Sequence, residues 1–135
     1  METARILIAV KEEHERNQMA DLLDAYSGFT VAGQTGGGAD ALRMAMEKSP
    51  DVIICDLFLP EYDALAILEQ LRCMSLTRLP KVIVVSSVTV ESMIQKAFLK
   101  GADDYILKPV NGEILIRRIC DLLGLPVRPE PDHSI

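Results

Sequence analysis

Residues 51–56 read Asp51-Val52-Ile53-Ile54-Cys55-Asp56, four consecutive apolar residues between two acids. Because the run is short and is bounded by Pro50 on one side and Pro60 on the other, it predicts a buried strand. Similar runs recur outward in both directions, at 5–10, 29–34, 81–86 and 104–107. Apolar runs without alternation are typical of parallel sheets that are covered on both faces.

Between these runs the apolar residues recur with a helical period. The helices are predicted at about 15–27, 39–48, 63–73, 89–100 and 111–124. Asp63, Thr89 and Asn111 are the expected N-caps, and Gly28 and Gly124 the expected stops. Five strands that alternate with five helices predict an α/β protein of the flavodoxin-like, doubly wound (βα)5 class, with parallel sheet order 2-1-3-4-5.

Composition limits the classes of function. The chain has 135 residues, 49% of them apolar, and a net charge of −6. One domain over 1–124 is expected, followed by a Pro-rich tail or linker over 125–135. The acidic balance argues against direct binding to a nucleic-acid backbone. Neither a membrane span nor a signal peptide is recognisable, so a cytoplasmic protein is expected.

Polar side chains follow three of the predicted strands. Asp56 ends the third strand, Ser86 and Ser87 end the fourth, and Lys108-Pro109 follows the fifth. Ligands of open α/β sheets bind outside the carboxyl ends of the strands, so these groups are expected to converge. A carboxylate can attack phosphorus while a hydroxyl and an ammonium hold the phosphoryl oxygens. The sequence therefore predicts a site that forms an acyl phosphate.

At these residues the chain resembles the receiver domain of response regulators, the phosphorelay proteins of two-component regulatory systems. The matching segments are 50–60, 82–87 and 105–109, and the resemblance covers about residues 4–124. Within the family, residues 65–87 are most similar to the receiver of the sporulation-initiation transcription regulator.

The resemblance implies a role for each matching residue of the site. Asp56 would be the phosphoacceptor, supplied by a histidine kinase or a phosphotransfer protein. Ser86 would bind the phosphoryl group beside the small residue Ser87. Lys108 would be the family lysine, joined to Pro109 by a cis bond.

The resemblance also implies a switch and a metal site. Tyr105 would be the aromatic residue whose rotamer follows the switch. The face made by the fourth helix, the fifth strand and the fifth helix, about residues 90–123, would mediate dimerisation or effector contacts. DNA would be reached only through a separate effector domain, and no enzymatic activity is implied. Mg²⁺ would be held by Asp56 and the main-chain carbonyl of Phe58.

The chain departs from the family pattern where the metal-binding acids are expected. Val10 and Lys11 occupy those two positions, and Glu12 follows them. A local bulge is one way for Glu12 to serve as a ligand. An ammonium about 4 Å from a divalent ion costs on the order of 8 kcal/mol at an effective dielectric of about 20. We therefore expect Lys11 to point inward, to pair with Asp56 as a substitute cation, and to reduce Mg²⁺ affinity strongly.

Two other interpretations stay open. One is a degenerate, metal-independent pseudo-receiver that acts as a protein-interaction module. The other, from a different class, is a flavin-binding domain of the same fold. The remaining charges of the run 11–16 are interpreted as an exposed face that opens the first helix.

Overall fold

The computed structural model describes residues 3–128, and within them five parallel strands form one sheet. The strands are β1 (Ala4–Ala9), β2 (Phe29–Thr35), β3 (Val52–Asp56), β4 (Lys81–Ser86) and β5 (Asp104–Leu107). The helices are α1 (Glu13–Ala25), α2 (Gly38–Lys48), α3 (Ala64–Cys73), α4 (Glu91–Leu99) and α5 (Gly112–Leu123). The sheet order is β2-β1-β3-β4-β5, which confirms the predicted fold class.

Each face of the sheet carries its own apolar core. In β3, Val52 and Ile54 pack on the side of α1 and α5. Ile53 and Cys55 pack on the side of α2, α3 and α4. All four side chains are buried, as expected for a central strand of a parallel sheet. Asp56 follows directly, paired in register with Val85 of β4, so the core fixes the position of its carboxylate.

Two of the predicted N-caps are confirmed. The Asp63 carboxylate accepts the main-chain N–H of Ala66 at 2.9 Å, and the Asn111 side chain accepts that of Ile114 at 3.0 Å. Gly124 ends α5 in the left-handed region, with φ of 67°, as expected of a helix stop.

Two other predicted helix ends are wrong. Val90, not Thr89, is the N-cap of α4, and no side chain caps that helix. Gly28 does not end α1 as predicted. The helix ends earlier, at Ala25, and its C-cap is Tyr26 in an extended conformation. Tyr26 leaves the helix because its ring is buried against Phe29, with centroids 4.3 Å apart, and burial of the ring outweighs the turn preference of glycine.

Replacing Asp63 by alanine should lower the free energy of unfolding by about 1 kcal/mol, because the first turn of α3 loses the acceptor that caps it. Asp63→Asn retains an acceptor and should cost almost nothing. Urea unfolding of the two variants and the wild type measures the difference. Equal losses in both variants would show that the charge, rather than the cap, stabilises the helix.

The first part of the predicted tail follows α5 back towards the end of α1. The N–H of Leu125 donates to the carbonyl of Cys120 at 2.8 Å, and that of Arg128 donates to the Tyr26 hydroxyl at 2.6 Å. Residues 129–135 of that tail, and residues 1–2 of the predicted domain, lie outside the described residues. Across the described range, every helix is too short or too polar to cross a bilayer.

Candidate functional site

Asp56 presents a buried carboxylate at the carboxyl edge of the sheet. The residue is 5% exposed, and its Oδ2 accepts the main-chain N–H of Lys11 at 2.8 Å. Its Oδ1 has no aligned hydrogen-bond donor among the described residues. The nearest charge is the ammonium of Lys108, whose Nζ lies 2.7 Å from Oδ1. One carboxylate oxygen is thus held by the main chain, while the other has only a counter-ion.

Lys108 is shared between two carboxylates. Its Nζ lies 2.7 Å from Asp56 Oδ1 and 2.9 Å from Oε1 of Glu15, in the first turns of α1. Burial lowers the pKa of Lys108, but its contacts with the two carboxylates outweigh that effect and raise the pKa above its ordinary value of 10.5. The side chain therefore carries a full positive charge at neutral pH.

The raised pKa of Lys108 predicts how stability depends on pH. The stabilisation from its ion pairs is fully present below the unfolded pKa of 10.5 and is lost as the pH rises through the higher folded pKa. We expect the difference in unfolding free energy between the wild type and Lys108→Met to stay constant from neutral pH to 10.5, and to shrink above it. Urea unfolding over that pH range tests this. A difference that already shrinks near neutral pH would contradict it.

The hydroxyl of the fourth strand reaches the same place. Ser86 is buried, and its Oγ accepts the main-chain N–H of Val88 at 3.0 Å. Asp56, Ser86 and Lys108 line a single cavity of about 440 Å³. Its lining residues are Lys11, Glu12, Asp56, Leu57, Phe58, Val85, Ser86, Ser87 and Lys108. The convergence of three strand ends expected from the sequence is therefore present in the fold.

Tyr105 is joined to the cavity through the loop after β4. Its hydroxyl donates to the carbonyl of Val88 at 2.9 Å, and the N–H of the same residue donates to Ser86. Val88 thus links the cavity hydroxyl to the predicted switch residue through two hydrogen bonds. The Lys108-Pro109 peptide bond is cis, as expected, and Pro109 lines a neighbouring cavity of about 610 Å³ that also borders Ser87.

Glu12 is not placed as a metal ligand. It is the N-cap of α1, and its two carboxylate oxygens accept the N–H groups of His14 at 3.1 Å and Glu15 at 2.6 Å. The hydrogen bond from Glu15 holds the pKa of Glu12 below its usual value. Glu12 borders the same cavity as Asp56, but both of its carboxylate oxygens are engaged by the helix cap.

The expected inward pose of Lys11 is wrong. The residue is exposed, and the described ion pairs include none between its ammonium and Asp56; only its main-chain N–H reaches that carboxylate. The reason is that Lys108 already lies against Asp56, and a second ammonium there would be repelled. The guanidinium of Arg16 fixes this loop by donating to the carbonyls of Val10 and Lys11, at 2.9 and 3.3 Å.

These residues do not fit the two-acid metal site that the resemblance implies. Val10 is fully buried in the apolar core, and Lys11 brings a positive charge to the rim of the cavity. Over residues 3–128, no group of three His, Cys, Asp or Glu side chains is arranged to hold a metal ion. Phe58, whose main-chain carbonyl is the other expected ligand, borders the same cavity. Mg²⁺ keeps several waters and needs only one or two protein carboxylates, so the misfit lies in the two missing acids and in the added charge of Lys11, and not in the number of oxygen donors.

Fold and site geometry agree with a family comparison. The family model described as the response regulator receiver domain matches residues 6–120. The chain therefore belongs to the response regulator receiver family, in agreement with the resemblance inferred from the sequence.

One relative of known description is similar to most of this chain. A protein-glutamate methylesterase/protein-glutamine glutaminase of Methanospirillum hungatei is 31% identical over an alignment of 137 positions, which covers 93% of this chain and 40% of the relative. The chain thus spans less than half of that protein.

Two solved structures have the same fold. The signal receiver domain of a response regulator of Mycobacterium tuberculosis superposes with a TM-score of 0.86 at 21% identity, covering 92% of this chain and 98% of that domain. A DNA-binding response regulator of the LuxR family from Staphylococcus aureus superposes with a TM-score of 0.82 at 28% identity, covering 88% and 98%.

Glu15 is the residue of the site that the sequence analysis missed. It was grouped with the exposed charges that open α1, yet it forms an ion pair with Lys108. The available signal was its place in the first turns of the helix that follows β1, since that turn lies at the same sheet edge as the other groups.

Proposed function

We propose that the chain is a phosphorelay receiver whose Asp56 takes a phosphoryl group from a histidine kinase or a phosphotransfer protein. One observation carries the proposal: the Asp56 carboxylate is buried at the end of β3, with the Lys108 ammonium 2.7 Å from its oxygen. A charge held in that position is suited to stabilise a phosphoryl group as it arrives.

The transfer is a displacement at phosphorus. Oδ1 of Asp56 attacks the phosphorus atom, the phosphorus–nitrogen bond of the donor's phosphohistidine breaks, and the imidazole nitrogen keeps the electron pair. Lys108 and the Ser86 hydroxyl then hold the phosphoryl oxygens. Phosphoryl transfer depends mainly on positioning and charge stabilisation, so these few groups suffice.

The effect of phosphorylation would be transmitted to the surface through Val88. When the phosphoryl group takes the Ser86 hydroxyl, the N–H of Val88 loses its partner, and the carbonyl of the same residue holds Tyr105. The response would be a shift of Tyr105 and of the α4-β5-α5 face. That face carries exposed apolar side chains, among them Phe98, Leu99 and Leu107, which suits it for a homodimer or an effector contact.

The test is incubation with acetyl phosphate or phosphoramidate, with intact mass as the readout. We expect a gain of one phosphoryl group that depends on time and donor concentration. Absence of any modification with either donor, and with a phosphorylated phosphotransfer protein, would refute the proposal.

The pseudo-receiver is the second candidate, and the exposed Lys11 beside the cavity favours it. It predicts no modification under any condition. No observation favours the flavin-binding alternative. A colourless protein that does not bind added flavin would count against it.

The output of the chain is also a proposal. Relatives include a methylesterase and a DNA-binding regulator, and control of a transcription-regulating effector domain is the output that we favour. The resemblance to the sporulation-initiation regulator, the cytoplasmic location and the absence of enzymatic activity stay predictions.

A further inference from the structure

The cation of this site is built into the chain. Of the two Asp56 oxygens, Oδ2 accepts the N–H of Lys11 at 2.8 Å and Oδ1 faces the Lys108 ammonium at 2.7 Å. The Asp56 residue is more than nine-tenths buried, and its Oδ1 has no aligned donor within the described residues. Asp56 thus has both a main-chain anchor and a counter-ion without any added ion.

The position of Lys108 is fixed from its other side. Glu15 Oε1 lies 2.9 Å from Nζ, so the ammonium is held between α1 and β3 rather than left to rotate in solvent. A cation held before the reaction needs no reorganisation as charge develops on the phosphoryl group. Glu15 therefore acts as a positioning residue for Lys108.

The positions that would carry metal-binding acids after β1 hold residues with other roles. Val10 packs in the core, Glu12 caps α1, and Lys11 adds a positive charge at the rim. A divalent ion here would share Asp56 with the Lys108 ammonium, and the exposed Lys11 adds a second positive charge at the border of the same cavity. The charged residues that line the cavity, Lys11, Glu12, Asp56 and Lys108, carry no net charge together, so the cavity lacks the net negative charge that attracts a divalent cation.

We propose that the Asp56 site accepts a phosphoryl group without a divalent metal ion, with the Glu15-held ammonium of Lys108 as its cation. The inference rests on the proposed function and concerns how the same site works. The step is the displacement described above. With acetyl phosphate as donor, the new bond joins Oδ1 to phosphorus, the phosphorus–oxygen bond to acetate breaks, and acetate leaves with the electron pair.

The experiment compares phosphorylation rates with MgCl2 and with EDTA. Intact protein is incubated with acetyl phosphate and its mass is followed over time. We expect the two rates to agree within about twofold, because no metal ion supplies charge stabilisation at this site. Titration calorimetry with MgCl2 alone should give no saturable heat.

A variant that restores one acid provides the matched comparison. Lys11→Asp places a carboxylate at the rim and keeps the main-chain N–H that holds Asp56. We expect it to bind Mg²⁺ and to be phosphorylated about tenfold or more faster with MgCl2 than with EDTA. Lys81→Asp makes the same charge change at the exposed first residue of β4, at the opposite edge of the sheet, and should not respond to the ion.

The outcomes separate this inference from the proposed function. Phosphorylation that MgCl2 accelerates tenfold or more in the wild type overturns the inference and leaves the proposed function standing. No phosphorylation with or without MgCl2 by acetyl phosphate, by phosphoramidate or by a phosphorylated phosphotransfer protein overturns both. A Lys11→Asp variant that responds no more than Lys81→Asp shows that Lys11 does not exclude the ion, and this also overturns the inference.

Discussion

Asp56→Asn should remove phosphorylation completely, leaving the intact mass of the protein unchanged after incubation with a phosphodonor. The amide oxygen can still accept the N–H of Lys11 that now reaches Oδ2 at 2.8 Å. An amide is not a nucleophile for phosphorus, however, so the step that forms the acyl phosphate has no attacking atom. The fold should survive, because the packing around β3 is unchanged.

Asp21→Asn is the matched control, since it removes an exposed carboxylate on α1 by the same chemical change. It should be phosphorylated like the wild type, and far-ultraviolet circular dichroism should show all three proteins folded. Modification of folded Asp56→Asn at the wild-type rate would mean that another residue accepts the phosphoryl group.

Lys108→Met should reduce the rate of phosphorylation by about a hundredfold to a thousandfold, the range found when one preorganised charge stabiliser is removed from an active site. Methionine keeps much of the length and apolar volume of the side chain but carries no charge. Both Asp56 and Glu15 then lose the cation that lies within 2.9 Å of them. Rates of mass increase at several donor concentrations measure the effect.

Lys100→Met serves as the control, because Lys100 also forms an ion pair with a carboxylate, that of Glu69, but at the exposed surface between α3 and α4. Surface ion pairs contribute little, so neither the phosphorylation rate nor stability should change much. A Lys108→Met protein that is phosphorylated as fast as Lys100→Met would contradict the role given to the ammonium.

The sequence predicted the framework of the site because that framework follows local rules. Apolar runs marked β3 and β4, and the order of a doubly wound sheet places their carboxyl ends at one edge. The sequence therefore predicted that one site contains Asp56, Ser86 and Lys108. The caps at Asp63 and Asn111 were equally local, since each needs only a side-chain oxygen three residues before an N–H.

The predictions that were wrong concern side chains that are distant in the sequence and compete for the same partner. Lys11 was expected to pair with Asp56, but Lys108, 97 positions later in the chain, already occupies that place. The partnership of Glu15 with Lys108 was missed for the same reason. Which of the two lysines reaches the buried carboxylate depends on the geometry of the loop after β1, which Arg16 fixes here. The order of apolar and polar residues in the sequence does not indicate that geometry.

The most direct measurement is the chemical identity of the phosphorylated residue. The protein is incubated with acetyl phosphate, reduced with borohydride, which converts an aspartyl phosphate to homoserine, and digested for tandem mass spectrometry. We predict homoserine at position 56 and at no other aspartate. Homoserine elsewhere, or a phosphoryl group on a serine such as Ser86 with position 56 still aspartate, would contradict the account.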